Sequence, residues 1–165
     1  MGKVRSKVKE EIAKLIPPTI FFFLTLHLIA LIRSLMLKGT GIPVVSSMVI
    51  LVGALTLGKA VLLTDALPLV NRYPNKPLAY NVVWKTTLYF IAATIIHYLE
   101  NLYDAWRVAG SIAAANERLL AEIVWAHFFA IELLLLVILF MYCTMRELIR
   151  VIGREKVLEM FFGPP

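Results

Sequence analysis

Cysteine is nearly missing from this chain: Cys143 is the only one. No internal disulfide can form, which also excludes the paired-thiol chemistry of membrane oxidoreductases that make disulfides. Strand-type alternation of apolar and polar residues is lacking too, which sets a transmembrane β-barrel aside. There is no Gly-rich phosphate loop, no nucleophile elbow and no zinc-protease motif. No internal repeat or low-complexity run divides the chain.

What remains is apolar. Hydrophobic residues make up 60% of 165, more than a soluble domain of this size can hide in a core. Lipid can cover such surface instead, and a helix needs about 20 apolar residues to cross a bilayer. Four windows qualify: 17–37, 43–67, 80–102 and 119–145. The expected fold is an all-α membrane protein, a single-domain bundle of four transmembrane helices. Residues 3–16 read as an amphipathic N-terminal helix lying in the interface. Pro17-Pro18 should break it and open the first span. Residues 146–162 read as a cytoplasmic C-terminal helical extension, with Gly153 as a bend. The first window is long and lacks a small-x-small cleavage site, so it is expected to stay in place.

The formal charge of +6 is distributed for orientation rather than for nucleic acid. Lys3, Arg5, Lys7, Lys9 and Lys14 precede the first span. Arg72, Lys76 and Lys85 flank the second turn, and Arg146, Arg150, Arg154 and Lys156 follow the fourth span. The other side holds Lys38, Arg107 and Arg118, with Arg33 near a span end. This is the positive-inside pattern, and it places both termini in the cytoplasm. Membrane lipids are the expected partner, through headgroup attraction.

Three titratable groups fall deep in the apolar windows. At 1.5 Å per residue, His27 lies about 15 Å past Pro17, Lys59 about 24 Å past Pro43, and Glu132 about 20 Å past Leu119. An intramembrane charge costs roughly 2.5–3.5 kcal/mol, so a Lys59–Glu132 pair, with His27 or Thr94 nearby, is the expected polar site. It reads as a proton or ion pathway, or as a buried pair that fixes helix register.

A second set, Arg33, His97, Glu100, Glu122 and His127, lies toward the outer interface. Solvation there is its simplest role. Metal binding is the alternative, because facing helices of bundles build His and carboxylate sites. Haem b held by histidines from different spans is a further one. No cofactor is expected on the leading reading. Thr87, Thr94, His97 and Asn101 share a stripe expected to face the bundle interior. A third set, Asp65, Arg72, Lys76 and Lys85, surrounds the cytoplasmic turn, where Asp65 can clamp Lys85 or Arg72.

The run L-P-L-V-N-R-Y-P-N-K-P-L-A-Y-N-V-V-W-K-T-T-L-Y over 67–89, with His97 and Glu100 after it, resembles a group of small four-span bacterial membrane proteins of uncharacterised activity. The resemblance implies a bacterial inner-membrane protein and brings no catalytic residues. Ala54 and Gly58, four residues apart, allow close helix approach and lead to an expected homo-oligomer. The leading functional expectation is a small channel- or transporter-like protein. The runner-up is an accessory subunit bound to a membrane-complex partner.

Overall fold

A computed structural model describes the backbone of residues 2–38, 46–73 and 76–163, with side chains from residue 15 onward. The expected turn at 39–43 and the restart at Pro43 lie outside the described residues, as do the side chains of the basic segment 3–14. Among the described residues six helices follow in order: α1 Gly2–Met36, α2 Ser47–Asp65, α3 Leu78–Ala109, α4 Ile112–Glu122, α5 Trp125–Ile152 and α6 Arg154–Phe162. No strand occurs among the described residues. Four of the helices are long and apolar enough to cross a bilayer: residues 15–36 of α1, and α2, α3 and α5.

The chain divides into two units, Met1–Leu67 and Pro68–Pro165. In the first, α1 packs against α2. Helix α1 runs through Pro17 and Pro18 without ending, where the sequence predicts a break. Proline's fixed φ suits a helix, and its missing N–H removes only the bonds to the carbonyls of residues 13 and 14. Helix α2 packs through small residues. A Cβ added to Gly58 would sit 2.5 Å from Thr19 Oγ1 and 3.3 Å from Leu15 Cδ1. With Ala54 and Val61 also buried, the small-residue stripe is spent on α1.

In the second unit α3 packs against α4 and α5, and α6 follows α5. Helix α3 continues past the predicted end at 102 to Ala109. Gly110, at φ 75°, then closes it with its N–H donating to Trp106 O at 2.9 Å, the left-handed stop that glycine adopts without strain. Ser111 caps α4, its Oγ accepting from Ala114 N at 3.2 Å. Helix α5 starts at Trp125, not at 119, because Ile123 and Val124 are extended. The segment predicted to open the fourth span is therefore the separate helix α4, and Tyr98 on α3 donates to Asn116 Oδ1 on it at 2.8 Å. Gly153, at φ 92°, separates α5 from α6.

Candidate functional site

Among the described residues, the α3–α5 seam of the second unit carries the buried charged groups. Its first layer lies near the start of α3. Glu147 is 1% exposed, and each of its oxygens meets a different cation. Lys85 Nζ donates to Oε1 at 2.7 Å, with the lysine side chain 8% exposed. Arg150 approaches Oε2 with Nε at 2.8 Å and Nη2 at 2.6 Å. Lys85 also donates to Asn71 Oδ1 at 3.1 Å, which ties the loop before α3 into the cluster. Charged groups leave water at high cost, and this geometry offsets it with short bonds on both carboxylate oxygens.

One turn deeper, Tyr89 is fully buried, and its hydroxyl accepts from Arg146 Nη1 at 3.0 Å. Cys143 is buried nearby, beside the Thr86 hydroxyl. Thr86 Oγ1 has no hydrogen-bond partner among the described residues. Deeper still, Glu132 is 9% exposed, and its Oε2 accepts from Thr94 Oγ1 at 2.9 Å. Lys85 opposite Glu147 and Thr94 opposite Glu132 make the two helices antiparallel.

The loop before α3 is held by aromatic contacts. Tyr73 meets Tyr80 edge-on at 5.3 Å and Trp84 at 5.5 Å. Trp84 Nε1 donates to Leu69 O at 3.0 Å, and Asn81 Nδ2 donates to Lys76 O at 3.1 Å. The Arg72 guanidinium lies 5.8 Å above the Tyr73 ring.

The predicted sites divide between the units. In the first, His27 lies between Phe23 O, 3.3 Å from Nδ1, and Ser47 Oγ, 3.2 Å from Nε2. A carbonyl can only accept, so Nδ1 carries the hydrogen there. Lys59 on α2 is exposed, as is Arg33 on α1, while Asp65 is half-buried. In the second, Thr94 donates to Glu132. Lys85 takes Glu147 as its acid. His97 Nε2 accepts from Asn101 Nδ2 at 3.2 Å, and Glu122 pairs with Arg118 at 2.8 Å. His97, Glu100, Glu122 and His127 are all exposed, and so are Arg72 and Lys76. Among the described residues, no three His, Cys, Asp or Glu side chains converge as a metal site would require.

The inward stripe on α3 also differs from the predicted one. Thr87, His97 and Asn101 are exposed, whereas Asn81, Lys85, Tyr89 and Ala93 form the buried line. Glu147 was not among the predicted site residues. Its one sequence signal is the spacing R-E-L-I-R, which puts Arg150 one turn beyond it, just past an apolar run that faces Lys85 if the helices are antiparallel.

No family model, curated protein or solved structure matches the chain. Functional assignment therefore rests on the side-chain chemistry of the seam.

Proposed function

We propose that this is a small multi-pass membrane protein of the bacterial inner membrane, channel- or transporter-like, in which Glu132 binds a proton or small cation within the α3–α5 seam. The observation that supports this reading is a buried carboxyl, set in the apolar run of α5, whose described partner is one neutral hydroxyl, Thr94. Ionisable groups inside a membrane span are costly and mark ion or proton paths by default. Glu147 supports the contrast. Both its oxygens are held by cations, which suits a fixed joint, whereas Glu132 keeps acceptor capacity for a ligand.

The test is flux in proteoliposomes containing the purified protein. Wild type dissipates an imposed proton or sodium gradient. Glu132→Gln falls to the rate of empty vesicles, Thr94→Val is slowed, and Glu117→Gln, on exposed α4, matches wild type. Absence of wild-type flux for either ion would sink the reading.

The second reading, an accessory subunit of a membrane complex, draws on the Lys85–Glu147–Arg150 joint, which makes the seam a rigid platform. It is favoured if the wild type conducts nothing and a defined membrane partner co-purifies with it.

A further inference from the structure

The end of the second unit that holds the Lys85–Glu147–Arg150 cluster, here its clamp end, carries more positive charge than its acids balance. Arg72 and Lys76 lie on the loop before α3, Lys85 at the start of α3, and Arg146, Arg150, Arg154 and Lys156 at the end of α5 and on α6. Against them stand Glu147, Glu155 and Glu159. The opposite end reverses the balance, with Glu100, Asp104, Glu117 and Glu122 against Arg107 and Arg118.

Depth and chemistry then coincide. Arg146 is 21 residues past Trp125, about 31 Å along the helix, close to the thickness of a hydrocarbon core. Glu147 and Arg150 therefore emerge at headgroup level. The aromatic group of Tyr73, Tyr80 and Trp84 stands at the same end of the unit, as aromatic residues do at membrane–water boundaries. Arg150 supplies the donors. Its guanidinium has five N–H bonds; Nε and Nη2 each turn one toward Glu147. Three remain on a side chain that is 45% exposed. Glu147 thus orients the guanidinium while leaving one edge open, the arrangement in which arginine takes a phosphate. On α6, Met160, Phe161 and Phe162 are strongly exposed beside Arg154 and Lys156, an apolar and basic mixture suited to the same boundary.

From this we infer that the clamp end of the second unit binds the phosphate of an anionic phospholipid headgroup, with Arg150 as its oriented donor and α6 lying on the same leaflet. This site is independent of ion movement at Glu132.

The experiment uses the full chain in nanodiscs of phosphatidylcholine alone, the same with added phosphatidylglycerol, and phosphatidylcholine with inorganic phosphate at matched ionic strength. The quantity read is the change in melting midpoint between compositions for each variant, so a lower basal stability does not affect it. Phosphatidylglycerol raises the wild-type midpoint by roughly 5 °C, and inorganic phosphate does not. Arg150→Gln loses most of that rise. Arg154→Gln, which leaves Glu147 untouched, loses part of it. Arg107→Gln and Glu132→Gln keep it. Equal responses in wild type and Arg150→Gln, or no response to phosphatidylglycerol, would overturn the inference. A rise with inorganic phosphate alone would overturn the lipid as its source.

Discussion

Glu147 divides its two oxygens between Lys85 on α3 and Arg150 on its own helix. Removing the acid leaves the buried Lys85 ammonium without a counter-charge, at a cost of about 3–5 kcal/mol, and removing Lys85 leaves Glu147 Oε1 buried without its donor while Arg150 still meets Oε2. Lys85→Ala and Glu147→Gln should therefore each lower the thermal midpoint in detergent sharply. Lys85→Met combined with Glu147→Leu should recover most of the loss, since a matched apolar pair carries no desolvation penalty. If the double variant melts as low as the singles, packing rather than charge holds the joint. Glu147 was hard to read from the sequence because R-E-L-I-R after an apolar run has the composition of a water-facing helix extension. Its burial depends on Lys85, 62 positions earlier, and such distant pairing leaves no local trace. Thr94 and Glu132 were easier, because polar groups deep in separate apolar windows have few places to go.

Helix α2 meets α1 at Gly58, where an added Cβ would fall 2.5 Å from Thr19 Oγ1. Gly58→Ala should cost about 1–3 kcal/mol through overpacking. Among the described residues Thr19 Oγ1 has no hydrogen-bond partner, so Thr19→Ala alone should be close to neutral. Combining the two removes the clash, and unfolding of the four forms in detergent gives a coupling energy. Additive losses would show that Leu15, not Thr19, sets the approach. Element ends were unevenly legible. Gly110-Ser111 spells a helix stop followed by a cap, and Gly153 marks the α5–α6 joint. Ile123-Val124 contains no breaker, so the gap between α4 and α5 could not be placed. Pro17-Pro18 misled in the other direction, since proline signals a break yet α1 absorbs both residues.

Across the whole chain, helical class and the number of long apolar helices followed from composition alone, whereas the division into two units did not. Apolar run length reports what each helix can cross, and it carries no information on which helices share a core. The charge pattern supports both termini lying on the cytoplasmic side. Because Cys143 is buried and has no other cysteine beside it in the sequence, Cys143→Ala gives a clean background for topology mapping. A cysteine placed at Gly2 and one placed at Gly163 should both be shielded from an impermeant maleimide in intact spheroplasts. Both should react once the membrane is opened. Labelling of one terminus but not the other would require an odd number of crossings.

The joint between Lys85 and Glu147 also has a consequence for biogenesis. A ribosome adding about 5–20 residues per second makes the lysine roughly 3–12 s before its acid, 62 positions later. During that interval Asn71 is the partner already synthesised. Until α5 is complete the Lys85 ammonium therefore lacks its carboxylate, and the buried pair can close only once residue 147 has been added.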